Sequence, residues 1–139
     1  MGVTIESKNH AIDLGYGGFM RLRAKIAELS DKELGMHYKH LNDAPMFDGR
    51  EVFFKEYDEK IVEIVDKNKI PHTVPDFIYQ SDCNGSLSTE QCLVIYEIIK
   101  DYDDDIQYGY SGKKDCAKFN DFKTLLKDCI DNNAKLEWF

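Results

Sequence analysis

Apolar and polar positions alternate only briefly along this chain, and helical spacing dominates. The stretch "VTIES" alternates over residues 3–7 and predicts a short strand. Apolar side chains recur at intervals of three and four in "FMRLRAKIAEL" at 19–29, and again in residues 51–67 and 116–132. This spacing predicts three amphipathic helices. Residues 88–101 are apolar on nearly every side, which predicts a further helix in a central position.

Boundary signals add the remaining elements. Ser30 or Asp31 can cap a helix in "DKELGMHYKHL". After the prolines at 71 and 75, "DFIYQS" at 76–81 predicts a second strand, and "KLEWF" at 135–139 predicts a third, with Leu136 and Trp138 on one face. The sequence therefore predicts an α+β fold in a single domain, residues 1–139, with a small sheet of about three strands packed by about five helices.

The stretch "YQSDCNGSLSTEQC", residues 79–92, has some of the spacing of a calcium-binding loop. With Gly85 at the sixth position of such a loop, the first and twelfth positions are Gln80 and Gln91, which are neutral amides where carboxylates are needed. Ser88 is a good helix N-cap, and Gln91 three residues later completes a capping box. The sequence therefore favours a tight turn and a helix start over a calcium site.

Composition restricts the functional class. The 139 residues are 42% hydrophobic and 12% aromatic, which is enough for a core. The net charge of −8 argues against direct binding to nucleic acid, which requires a basic surface. No apolar run is long enough for a membrane helix, and no secretion signal is visible, so we expect a cytoplasmic protein. The four cysteines form no C-x-x-C pair and are expected to be reduced thiols: Cys83, Cys92, Cys116 and Cys129.

The segment "GYGGFMRLR" at 15–23 holds the strongest candidate for a ligand site. Glycines before a helix let backbone N–H groups approach an anion, and arginine forks match phosphate oxygens. Asp82, with Ser81 or Ser86, would accept or donate hydrogen bonds to hydroxyl groups or a base edge, and one of Tyr102, Tyr108 and Tyr110 would stack on the base. The alternative is a flexible turn followed by solvated arginines. The predicted ligand-binding residues are Gly15, Tyr16, Gly17, Gly18, Arg21, Arg23, Ser81, Asp82 and Ser86.

His37 and His40 lie three residues apart in a predicted helix, a spacing at which two imidazoles can share a metal ion. No third ligand is marked by spacing, and a protein metal site needs three or four. The sequence therefore favours an exposed helix face here, and it predicts no metal, no cofactor and no catalytic residue.

A resemblance adds a biological setting. The block "QSDCNGSLSTEQC", the apolar helix after it and the ending "KLEWF" resemble small bacteriophage and prophage proteins, mostly of Gram-positive hosts. The block "GYGGFMRLR" is similar too. The resemblance implies a role during phage infection, in the host bacterial cytoplasm. Small accessory proteins in that setting counter host defences by sequestering nucleotide signals or by blocking a defence enzyme.

These observations lead to three hypotheses. The first is a non-enzymatic counter-defence protein that sequesters a small phosphate-bearing ligand such as a nucleotide immune signal, as a homo-oligomer with the pocket between subunits. The second is an anti-CRISPR-like inhibitor that places acidic residues, Asp101 and Asp103 to Asp105, in a basic groove of a host defence protein. The third is a hydrolase acting on the same nucleotide. None of them involves a membrane or direct contact with nucleic acid.

Overall fold

The computed structural model describes residues 2–109 and 117–139, so Tyr110 and Cys116 lie outside the described residues. Within them, four strands form one antiparallel sheet in the order β2–β1–β4–β3. The strands are β1 (Val3–Glu6), β2 (Ala11–Leu14), β3 (Gly85–Leu87) and β4 (Leu136–Trp138). The same residues form six α-helices: α1 (Tyr16–Ser30), α2 (Lys32–Lys39), α3 (Arg50–Asn68), α4 (Thr73–Ile78), α5 (Thr89–Ile99) and α6 (Phe119–Asp131). The predicted α+β fold is confirmed, with one strand and one helix more than expected.

The middle of the sheet joins the two ends of the chain. Strand β1 pairs with β4, with Ile5 opposite Trp138. Thr4 and Phe139 extend this pairing, because the N–H of each donates to the carbonyl of the other at 2.9 and 3.1 Å. Leu136 and Trp138 are buried on one face of β4, as the alternation in "KLEWF" predicts.

The predicted strand at 76–81 is wrong, because most of this segment belongs to helix α4 and the turn after it. Val74, Phe77 and Ile78 are buried, and their spacing of three and four is helical. Pro75 is the third residue of α4, where its missing N–H costs no helical hydrogen bond. The strand in this part of the chain is instead β3, which follows the turn at 82–84.

Both predicted helix caps are present. The carboxylate of Asp31 accepts from the N–H groups of Glu33 and Leu34 at the start of α2. At the start of α5, Ser88 and Gln91 form the capping box with side-chain-to-backbone distances of 3.2 and 2.9 Å. These caps fix where each helix begins.

Helix α1 lies at the centre of the molecule and packs against α2, α4 and α5. Phe19 of α1, Phe77 of α4 and Trp138 of β4 meet in an aromatic cluster with ring centroids 5.6 to 6.1 Å apart. By contrast, the 19 residues of α3 include only three that are buried, Tyr57, Ile64 and Val65, and this helix packs on α2. In residues 2–109 and 117–139, no helix has the length and apolar character needed to cross a bilayer.

A candidate binding cleft at the N-terminal end of helix α1

Neighbouring residues of helix α1 face different sides of the molecule. Gly18 lies directly against the backbone of Tyr108, and the Arg21 guanidinium approaches the carbonyl of Gln107 at 3.4 Å. Gly17 and Arg23 line a cleft, and Arg21 does not. Because residues two apart on a helix do not share a face, Arg21 and Arg23 do not form one positively charged notch.

Arg23 is the one buried charged side chain of the described residues, with 4% of its surface exposed. One terminal nitrogen donates to the carbonyls of Ile78 and Gln80 at 3.2 and 2.8 Å. The other donates to the carbonyl of Ser81 at 3.2 Å. Arg23 therefore ties α1 to the end of α4 and the turn that follows.

Three of the five N–H donors of Arg23 are used in these bonds, and the one on Nε has no partner in the part of the chain that the structure describes. Its Nε atom is buried and makes no hydrogen bond within the described residues. Burial lowers the pKa of the guanidinium, while the nearby phenol of Tyr38 and the carboxylate of Asp82 act in the opposite direction. An arginine stays charged in proteins even so. The cleft is therefore lined by a permanent positive charge.

The cleft has a volume of about 390 Å³ and is formed by α1, α2, α4 and residues 79–82. Aromatic and apolar side chains form its walls, and Arg23, Gln80 and Asp82 supply charged and polar groups. Its lining residues are Tyr16, Gly17, Phe19, Met20, Arg23, Tyr38, Leu41, Ile78, Tyr79, Gln80 and Asp82.

Several polar groups in this cleft are available to a ligand. Gly15 is the N-cap of α1 and has no side chain to accept from the first N–H groups of the helix. Asp82 is exposed. Tyr38 is 5% exposed, and its hydroxyl lies beside the Arg23 guanidinium. Burial raises the pKa of Tyr38 and raises that of Tyr79 to about 12, so both phenols are neutral donors at pH 7.

The structure brings together some of the residues predicted from sequence. Tyr16, Gly17, Arg23 and Asp82 all line the cleft, and Gly15 precedes them as the N-cap. Ser81 contributes its backbone, since its carbonyl accepts from Arg23 and, at 2.8 Å, from Trp138 Nε1. The other predicted residues do not line the cleft. Gly18 lies against Tyr108, and Arg21 lies beside Gln107. The backbone N–H and C=O of Ser86 both form hydrogen bonds with the Gln80 side chain.

Sequence reasoning missed Tyr38 and Tyr79 as lining residues of the cleft. A signal for Tyr38 exists, because Leu34, Tyr38 and Leu41 follow one another at helical spacing and point α2 toward α1. Tyr79 had no such signal, since its segment was assigned to a strand. Its hydroxyl lies 2.8 Å from that of Tyr57 of α3.

The tyrosines expected near the acidic tract are used internally. The hydroxyls of Tyr102 and Tyr108 both donate to the same oxygen of Asp104, at 2.9 and 2.7 Å. Tyr108 is 2% exposed, so its ring is not open for stacking on a base. Tyr110 lies outside the described residues. Of the aromatic residues that line the cleft, Tyr16 and Tyr79 are the ones that are not buried, so a ligand would meet their rings.

Comparison of the chain with protein-family models, with curated proteins and with solved structures gave no match in any of the three. The fold and the cleft define the protein as an α+β protein with a mixed aromatic and polar cleft.

Proposed function

We propose that the protein binds and sequesters a small phosphate-bearing ligand in the cleft at the N-terminal end of α1, without converting it. The phosphate would lie against the uncapped N–H groups at the start of the helix, where the helix dipole is positive. Arg23 would support the negative charge from the floor of the cleft mainly through its field, because three of the four N–H groups on its terminal nitrogens already donate to backbone carbonyls. This differs from a clamp formed by two arginine side chains.

The observation that carries the proposal is the open space in front of Gly17. A Cβ atom at this position would meet no other atom within 4 Å, so no contact of the fold requires a glycine there. Alanine is also the better residue for a helix. Since Gly17 lines the cleft, a glycine at this position leaves room for a ligand to approach the backbone itself.

The rest of the cleft suits a nucleotide. Its volume of about 390 Å³ is within the range that holds small ligands. The rings of Tyr16 and Tyr79, which are not buried, offer faces to a base. Asp82 offers an acceptor for the hydroxyls of a ribose or the N–H groups of a base. A nucleotide immune signal, as the resemblance to phage proteins implies, belongs to this chemical class.

Isothermal titration calorimetry against a panel of linear and cyclic nucleotides tests the proposal. Gly17→Glu adds a carboxylate where the phosphate would lie, while an acidic residue in the first turn favours the helix itself. Gly17→Gln is the matched control of the same size. We expect at least one nucleotide to bind the native protein, and Glu to weaken that binding at least tenfold more than Gln.

Two further measurements complete this test. Arg21→Ala is expected to weaken binding less than Gly17→Glu does, since Arg21 lies one turn from Gly17 on the helix but does not line the cleft. Chromatography of the ligand after incubation is expected to recover it intact, whereas a hydrolysed product would favour the hydrolase. An absence of binding across the panel, or equal effects of Glu and Gln at position 17, would contradict the proposal.

A second candidate function, inhibition of a host defence protein, has its own supporting observation. Asp104 is turned inward and holds the hydroxyls of Tyr102 and Tyr108, while Asp101, Asp103 and Asp105 are exposed on the same segment. Such a fixed acidic edge suits a basic groove. Co-purification with a host protein, lost at high salt and in a variant with these three aspartates changed to asparagine, would support this function.

A further inference from the structure

A second groove lies between helices α2 and α3, and it shares no lining residue with the cleft. Its volume is about 320 Å³. Two histidines of the α2 side face residues of α3 across it. The lining residues are His37, His40, Phe53, Glu56, Tyr57 and Lys60.

The orientation of His37 is fixed by α3. Its ring stacks on the ring of Tyr57 with a centroid distance of 3.9 Å. Its Nε2 atom lies 2.9 Å from the backbone carbonyl of Tyr57. Because a carbonyl can only accept, Nε2 carries the hydrogen, and Nδ1 of the neutral ring keeps its lone pair.

His40 is fixed in a comparable way by a carboxylate. Its Nδ1 atom lies 2.8 Å from a carboxylate oxygen of Asp43, and its ring centroid lies 5.2 Å from that of Phe53. The ionised carboxylate accepts the hydrogen from Nδ1, which leaves the lone pair of the neutral ring on Nε2. Both histidines thus have one nitrogen committed to an oxygen acceptor and one nitrogen available.

We propose that His37 and His40 form a two-point chelate for a divalent transition-metal ion in this groove. A histidine that binds a metal almost always donates its other N–H to a carbonyl or a carboxylate, and here one histidine has each kind of partner. Imidazole nitrogens suit Ni²⁺, Cu²⁺ and Zn²⁺. The side-chain arrangement therefore has the supporting partners as well as the donor atoms.

The spacing of the rings is compatible with a shared ion. Their centroids lie 6.3 Å apart, so the exposed His40 ring would have to turn toward His37, while keeping its contact with Asp43, for both free nitrogens to reach one ion at about 2.0 Å. Within residues 2–109 and 117–139, no three metal-binding side chains come together, so the pair supplies fewer ligands than the three or four of a resident metal site, and water would complete the coordination of an exchangeable ion. Glu56 and Lys60 line the same groove. The positive charge of Lys60 would repel a metal ion, but it forms an ion pair with Glu63 at 3.3 Å.

Calorimetric titration of the full chain with Ni²⁺ tests this inference. Cys83 and Cys116 are first changed to serine so that their thiols do not compete for the ion. We expect one Ni²⁺ per chain with an affinity in the micromolar range, and no measurable binding after His40→Ala. Asp43→Asn is expected to weaken binding about 10- to 100-fold, because it removes the partner that orients His40.

The chain provides its own control. His10 and His72 are exposed and isolated, and the double variant His10→Ala with His72→Ala is expected to bind Ni²⁺ like the parent. The side chains of His40 and Asp43 are 51% and 70% exposed, so their substitution leaves the fold intact, and far-ultraviolet circular dichroism checks this. No binding by the parent, unchanged binding in His40→Ala or Asp43→Asn, or loss of binding in the control would each overturn the inference.

Discussion

The guanidinium carbon of Arg23 lies 4.1 Å from the centroid of the Phe19 ring, one turn earlier on α1. The rings of Phe77 and Trp138 lie 5.6 and 5.7 Å from the same carbon. A desolvated cation over an aromatic face is stabilised by about 2 kcal/mol or more. Arg23 is therefore held from one side by aromatic rings and from the other by three backbone carbonyls, at the point where α1, α4 and β4 meet.

Arg23→Ala is expected to destabilise the fold. The substitution removes the donors for the carbonyls of Ile78, Gln80 and Ser81 and leaves a cavity beside Phe19. We expect the free energy of unfolding to fall by about 3 kcal/mol or more, as judged from the cost of unsatisfied buried groups. Denaturation in urea measures it.

Arg21→Ala is the matched control for this prediction, because it removes the same side chain two positions away. Arg21 is exposed and makes one long hydrogen bond, so we expect a change within about 0.5 kcal/mol. Equal destabilisation by the two substitutions would show that the burial of Arg23 has no special importance.

Gly17 and Gly18 are expected to respond in opposite ways to alanine. A Cβ on Gly18 would overlap the carbonyl oxygen of Tyr108, so Gly18→Ala must displace one of the two backbones, at a cost of about 3 kcal/mol or more. Gly17→Ala meets open space and improves helix propensity, and stability should stay equal or rise by up to about 1 kcal/mol. Thermal denaturation of the two variants compares them, and a loss of stability in Gly17→Ala would contradict the assignment of open space.

Gly85 and Trp138 form a second contact that excludes a side chain. They are paired across β3 and β4, and a Cβ on Gly85 would overlap the indole ring. Gly85→Ala is expected to push the ring out of its buried position and to lower stability by about 2 kcal/mol. Trp138 is the only tryptophan of the chain, so its fluorescence reports the change directly. We expect emission to shift to longer wavelength, while unchanged emission and stability would refute the prediction.

Asp128 of α6 holds the turn between β1 and β2. Its carboxylate accepts from the Ser7 hydroxyl at 2.6 Å and from the backbone and side-chain N–H groups of Asn9 at 2.7 and 2.9 Å. These hydrogen bonds, from Ser7 first and then Asn9, lower the pKa of Asp128 to about 2. A folded-state pKa below the unfolded value of about 3.9 means that the ionised form favours the folded state.

The stabilisation from Asp128 should therefore be complete above about pH 5 and decline as pH falls toward 2. Asp128→Asn removes the ionisable group, so the native protein should melt at a higher temperature than the variant at pH 7. The difference in melting temperature should shrink between pH 5 and pH 2.5. A difference that stays constant over this range would show that the carboxylate charge contributes nothing.

The sequence predicts five of the six helices, all but α4, because their signals are local. The spacing of Phe19, Leu22 and Ile26, the cap at Asp31 and the capping box at Ser88 each lie within one element or at its boundary. The short strands are harder to predict. β3 has three residues, and its partner β4 lies about fifty positions further along the chain, so no local alternation could reveal the pairing.

The candidate site was predicted in part for the same reason. Gly17 and Arg23 both line the cleft and belong to one short segment of the sequence, whereas Tyr38 reaches the cleft only through the packing of α2 on α1. Grouping Arg21 with Arg23 relied on closeness in sequence, although a spacing of two places them on different sides of a helix. The internal use of Arg23 by three carbonyls depends on the path of residues 78–81, which no pattern in the sequence indicates.

The reciprocal hydrogen bonds between Thr4 and Phe139 have a consequence for the connectivity of the molecule. Because these residues are already neighbours, a short peptide linker could join them, and new ends could be opened among the exposed residues 46–49. Such a circular permutant would turn the most distant pairing of the sheet into a local hairpin, and it should fold faster than the parent chain.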